Sequence, residues 1–285
     1  MALSTISLTS GMRANLFSLQ KTSRDMETTQ NRLATNLRVN TALDDPINFF
    51  AAQEHRSRAS DLASRKDGMS EAIQTIKAAN VGVEGINNLI AQAKSLAQSA
   101  MSATVSEATT LATQYGKVMT QINQMANDSG YKGTNLLQSG SLTVQFAPTA
   151  NQSFLNVTGF GDSTAAFNIA GLTAEVSTAG TTWVVSGQTT VTTSAVQTSI
   201  NNLETAMDTL RTESKALSNN LSIVTAREEF SSQMINTLGD GAAKLTEADM
   251  NEEGANMLML QTRQVLGTTS LSMATQAAQN VLRLF

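Results

Sequence analysis

The chain has no cysteine, one histidine, two prolines, one tryptophan and only 4 % aromatic residues in 285. Without cysteine there can be no disulfide framework, no thiolate nucleophile and no Cys-ligated metal. The lone His55 lies in the charged run Glu54-His55-Arg56, with no nucleophile or orienting carboxylate marked out beside it, so general-base catalysis has little support. A compact enzyme core draws much of its buried area from aromatic and large aliphatic side chains. This composition, dominated by Ala, Ser, Thr, Asn and Gln, suits long, thin helix packing instead. The formal charge of -4 is spread along the chain with no basic block, which argues against nucleic acid as a partner. No apolar run approaches the roughly 20 residues that cross a bilayer. The first residues also lack a basic stretch followed by an apolar one, so no cleavable signal peptide is expected.

What is present is heptad-like spacing at both ends. Met12, Leu16, Leu19, Ser23, Met26, Gln30, Leu33 and Leu37 recur at three and four residues, as do Met257, Leu260, Gln264, Gly267, Leu271, Ala274, Ala278, Val281 and Phe285. Such a stripe makes one side of a helix an apolar seam and requires a partner helix. Because both seams are interrupted by polar or small residues, they are weak for an isolated two-helix hairpin, and further partners are expected.

Four helical stretches follow from the period: Ser10 to Leu37, Asp45 to about Ala103 with a break near Asp67-Gly68, Leu111 to Met125, and Ile200 to Leu238. The last should stop at Gly239-Asp240-Gly241. Asp45 and Pro46 read as a helix cap and first helical residue, which makes a helix start a better account of Asp44-Asp45 than a metal pair. Between Lys132 and Arg211 there is no Lys or Arg, and residues 141–194 are rich in Thr, Ser, Gly and Ala. Short alternating runs there, Leu142 to Phe146 and Trp183-Val184-Val185, read as hairpin strands, with Pro148 as punctuation. Gly130-Tyr131-Lys132-Gly133-Thr134 lacks phosphate-loop spacing and reads as a turn. The thirteen methionines read as adaptable core or interface filler.

The expected fold class is mainly α: a long antiparallel helical bundle or coiled coil formed by both chain ends, with a small β-rich insertion in the middle. Three parts are expected: 1–40 with 245–285 as a terminal coiled coil, 41–140 with 195–244 as a helical bundle, and 141–194 as a surface insertion.

Three stretches carry a resemblance. Asn31 to Pro46, with Leu37, Arg38, Asn40, Ala42, Asp44 and Asp45, resembles the flagellin signature. Tyr131 to Leu137 is similar to that family's aromatic-x-Gly-x-x-Leu-Leu turn through Gly133, Leu136 and Leu137, and Ala277 to Phe285 resembles its terminus. The family usually continues the Asp pair with small residues, whereas this chain has Pro46-Ile47-Asn48, a departure at the entry into the second helix under which the Asp45 cap still holds. The resemblance implies a filament subunit without cofactor or catalysis. It would be exported unfolded through the flagellar type III apparatus, be extracellular, and have termini that fold on assembly into the filament's inner tube. Implied partners are further copies of itself, the export machinery and a chaperone, and hook-associated and cap proteins. Two rival readings remain: a hook-filament junction protein, and a cell-surface binding module, such as an adhesin or carbohydrate receptor, using residues 141–194; Trp183 is its best candidate contact, although a lone Trp in a β run is more often local core.

Overall fold

A computed structural model of the chain describes residues 10–147, 153–160, 183–184 and 190–283. These contain helices α1 (Ser10–Thr35), α2 (Pro46–Ala100) and α3 (Val105–Asp128), strands β1 (Ser141–Gln145) and β2 (Phe154–Thr158), and helices α4 (Thr193–Thr246) and α5 (Met250–Arg283). The chain divides into two compact units, residues 1–57 with 237–285 and residues 58–236.

In the 58–236 unit, α2, α3 and α4 bury one cluster. Ile76, Val83, Ile86 and Ile90 of α2 meet Tyr115, Met119 and Ile122 of α3 and Leu203, Leu210 and Leu217 of α4. The hairpin pairs Leu142 with Val157 and Val144 with Leu155, and the alternation of the strands points Val144 and Val157 into the same core. The stretch Leu142 to Phe146 therefore forms β1 over most of its length, as its alternation implies. Trp183 does not lie in a strand: it sits in a turn, fully buried, and Val185 and Pro148 lie outside the described residues.

The expected break at Asp67-Gly68 is absent, and α2 is continuous for 55 residues. A single helical glycine costs about 1 kcal/mol against alanine. That is less than the burial of Met69, Ala72 and Ile73 immediately after it contributes. Likewise α4 passes through Gly239-Asp240-Gly241 and ends at Thr246, because the extra turn buries Ala242 and Thr246. Both glycines find open space or only the edge of His55 near their Cα, so neither forces a turn. Helix α4 also begins earlier than expected, at Thr193, and α3 runs beyond Leu111 and Met125 at both ends.

Gly82 is a helical glycine with a clear structural cause. A Cβ there would fall 2.1 Å from Ser129 Oγ, 2.7 Å from Ser129 Cβ and 3.0 Å from Leu137 Cδ2. Leu137 is fully buried, and the Ser129 hydroxyl already donates to Met125 O at 2.6 Å, so neither has room to retreat. Gly82→Ala is expected to destabilise this unit by about 1 to 2 kcal/mol, overpacking exceeding the gain in helix propensity. Denaturant unfolding followed by circular dichroism checks it; a more stable variant would show that the helices can separate freely there.

Candidate functional site

In the unit formed by the chain ends, α1 and α5 lie antiparallel. Asn15 Nδ2 donates to Ser270 Oγ at 3.1 Å near one end, and Arg32 Nη1 pairs with Glu253 Oε1 at 2.8 Å near the other. The face of α1 that meets α5 runs through Met12, Asn15, Leu19, Thr22, Met26, Thr29 and Leu33, all buried or half-buried. The expected seam and this face share Met12, Leu19, Met26 and Leu33. They differ at the intervening positions: Leu16, Ser23 and Gln30 are exposed, Leu16 at 41 %. On α5, Met257, Leu260, Gln264, Gly267, Leu271, Ala274 and Ala278 are all buried or half-buried. Val281 is within α5, but its side chain, like Phe285 as a whole, lies outside what the structure describes.

Gly267 looked like a weak point in the seam. A Cβ at this position would fall 2.6 Å from Leu19 Cδ2 and 3.0 Å from Leu19 Cγ. The glycine is thus the hole into which the Leu19 knob inserts. Glu253, 6 % exposed, is the buried charged residue of the seam; Arg32 holds one of its oxygens, while Oε2 has no donor among the described residues.

The family-motif residues build the corner where α1 gives way to α2. Asn36 adopts the left-handed conformation, φ 58°, which ends α1, and its carbonyl accepts from Ala248 N at 3.1 Å. Leu37 bridges to Glu247, and the amides of Arg38 and Val39 donate to Thr246 O at 2.8 and 3.1 Å. Arg56 Nη2 donates to the buried Thr246 hydroxyl at 3.0 Å. Asp44 Oδ2 accepts from the Asn40 and Thr41 amides and the Thr41 hydroxyl, and the Thr41 amide bond in particular lowers the carboxyl below its ordinary 3.8. Asp45 caps α2 by accepting from the Asn48 amide at 3.1 Å, which lowers its pKa too, and Pro46 follows as the first helical residue. The departure at Pro46-Ile47-Asn48 therefore keeps an orthodox helix start. Ala42 is half-buried in this turn. A polar cleft of about 260 Å³, lined by Arg32, Arg38, Asn40 and Asp44 among others, lies beside it.

In the other unit the Tyr131 to Leu137 motif closes α3. Tyr131 and Thr134 exchange amide hydrogen bonds across a turn that places Gly133 at φ 83°, and Asn135 Nδ2 donates to the free carbonyls of Ala126 and Asn127. Leu136 and Leu137 then enter the core.

One feature escaped the sequence reading. On the side of α5 away from α1, Leu258, Val265, Leu266 and Met273 are 61–68 % exposed and recur at helical spacing. Scattered apolar residues on a surface are ordinary, but a stripe along one helix marks an interaction surface. Periodicity found the stronger seam on this helix and had no further signal to rank the second.

No helix among the described residues is long and apolar enough to cross a membrane. The sequence pattern described as "Bacterial flagellin N-terminal helical region" matches residues 4–141. The chain is 24 % identical over 287 residues to "Flagellin FljM" of Caulobacter vibrioides, covering 100 % of both chains. It is 25 % identical over 279 residues to "Flagellin" of Brucella melitensis, covering 95 % of each. A solved structure, "Crystal structure of Bacillus cereus flagellin", aligns at a TM-score of 0.45 and 14 % identity over 57 % of this chain and 88 % of that one. With matches running from end to end, and the Asn31 to Pro46 and Tyr131 to Leu137 motifs each building a specific turn, the bacterial flagellins are the family this chain is similar to over its whole length.

Proposed function

We propose that the chain is a structural subunit that polymerises into a bacterial flagellar filament for swimming motility and works without catalysis or cofactor. The observation that carries this reading is the exposed apolar stripe of α5. Its other face is already engaged by α1, so a second partner has to cover Leu258, Val265, Leu266 and Met273. Other copies of the chain can do so through head-to-tail contacts, which do not close and therefore propagate as a helix. In this reading residues 1–40 and 245–285 pack in the inner tube, with the subunit-packing positions of α1 and α5 at its contacts, and 41–140 with 195–244 form the layer outside it. The α1 and α5 faces mix Met and Leu with Thr, Gln and Gly, so much of their ordering free energy is supplied on assembly. Export through the type III apparatus in an unfolded state, with a chaperone, followed by capture at the hook-associated and cap proteins, fits such ends.

The binding-module reading loses its candidate contact residue, because Trp183 is fully buried. A hook-filament junction protein would share the terminal architecture and is separated by polymer length. Purified chain added to filament seeds at rising concentration should give long filaments in negative-stain electron microscopy. Short collars of fixed size would favour the junction protein, and no polymer at any concentration would sink the proposal.

A further inference from the structure

The start of α2 carries a second apolar patch that the corner motif does not use. Leu43, Ile47 and Phe50 are 62–95 % exposed. Ile47 and Phe50 stand three apart on one side of the helix, and Glu54, four and seven residues further on, continues the same face. Glu54 is exposed and makes no ion pair or hydrogen bond among the described residues. It differs in this from Asp44 and Asp45, whose carboxylates are occupied by backbone donors.

The stripe on α5 has the complementary character. From Gly254 to Leu282 the only charged residue is Arg263. It is exposed and likewise unpaired among the described residues, and it stands beside Met259 and Leu266 at four and three residues' distance. One surface is thus apolar with a carboxylate at its end, and the other is apolar with a guanidinium at its flank. Both lie in the unit made of residues 1–57 and 237–285, and neither is covered by the described residues.

We infer that Ile47, Phe50 and Glu54 of one copy receive the α5 stripe of a second copy, with Glu54 paired to that copy's Arg263. At the helical rise, Glu54 and Ile47 are separated by roughly 10 Å, with Leu43 extending the patch, while Arg263 and Met273 are separated by roughly 15 Å. With the two helices antiparallel, the ion pair at one end sets Phe50 against Leu266 and directs Ile47 and Leu43 towards Met273. The contact joins two different surfaces, so each copy keeps one of each kind free and the assembly stays open. The apolar side chains carry the contact, and the charge pair fixes its register and rejects misaligned copies.

The inference rests on the polymerisation reading but fails separately from it. The experiment measures the critical concentration for seeded polymerisation of the native chain, Glu54→Arg, Arg263→Glu and the double variant. All four are compared for helix content, which substitutions at two exposed residues leave unchanged. Each single reversal should raise the critical concentration about tenfold or more, and the double variant should return to within about threefold of native. Singles that polymerise like the native chain, or a double variant no better than the worse single, overturn the pairing while leaving filament formation by the native chain in place. A second measurement uses the absence of native cysteine. Phe50→Cys and Leu266→Cys chains, copolymerised and oxidised in air, should give a disulfide-linked dimer that neither variant gives alone. Dimer from one variant alone, or none from the mixture, likewise overturns the inference.

Discussion

Replacing Val265 and Leu266 together by aspartate is expected to raise the critical concentration for polymerisation at least about a hundredfold, while the monomer keeps its helix content and melting behaviour. Both residues are 64 % exposed on the side of α5 away from α1, so the isolated chain loses little when they change. Burying each at a subunit contact contributes about 1.5 to 3 kcal/mol. The introduced carboxylates must also be desolvated there, which adds to the penalty. Because each is 64 % exposed in the monomer, the two residues together lose roughly 2 to 4 kcal/mol of burial, and the carboxylate penalty carries the total past the roughly 2.7 kcal/mol that corresponds to a hundredfold change in affinity. The measurement is sedimentation of polymer from soluble subunit across a concentration series, with circular dichroism of the monomer in parallel. Unchanged polymerisation would mean that the stripe stays in solvent in the assembled state, and the proposed function would lose the observation that carries it.

The distinction between the two faces of α5 shows where sequence reading succeeds and where it stops. A three-four repeat locates a helix and its strongest stripe, and on α5 it found Met257, Leu260, Leu271 and Ala274 on the α1 side. On α1 the same repeat selected Leu16, Ser23 and Gln30, whereas the helix turns Asn15, Thr22 and Thr29 towards α5. Adjacent positions on a helix are about 100° apart, and each set contains mostly polar residues, so hydrophobicity gave no basis for choosing between them. The Asn15 to Ser270 hydrogen bond and the insertion of Leu19 at Gly267 decide the matter, and both are pairings across more than two hundred residues of sequence. Local signals misjudged glycine for a related reason. Gly68, Gly239 and Gly241 read as breaks, but their cost is small beside the burial on either side of them. The Asp45 cap with Pro46 and the Gly130 to Thr134 turn were legible because they are local, each acting within a few residues of itself.

Trp183→Ala is expected to destabilise the 58–236 unit by about 3 to 5 kcal/mol and lower its Tm by about 10 °C. Although Trp183 belongs to a stretch that read as surface insertion, its side chain is fully buried, and its ring lies 4.7 Å from that of Tyr115 on α3. The indole N–H donates to Ser199 Oγ on α4 at 3.1 Å, and the Trp183 carbonyl accepts from the Thr192 amide at 2.9 Å, next to the start of α4. One residue thereby ties the segment before α4 to two helices of the core. Alanine would leave a cavity against Tyr115 and a buried Ser199 hydroxyl without its donor, each a separate cost. Trp183→Phe keeps an aromatic ring against Tyr115 and loses the hydrogen bond, so its cost should be smaller, about 1 to 3 kcal/mol. Because this is the chain's only tryptophan, its fluorescence reports the site without interference. The native emission should be blue-shifted and poorly quenched by iodide until the unit melts. Solvent-like emission from the folded protein, or an alanine variant as stable as native, would move Trp183 out of the core and return it to the surface as a candidate contact.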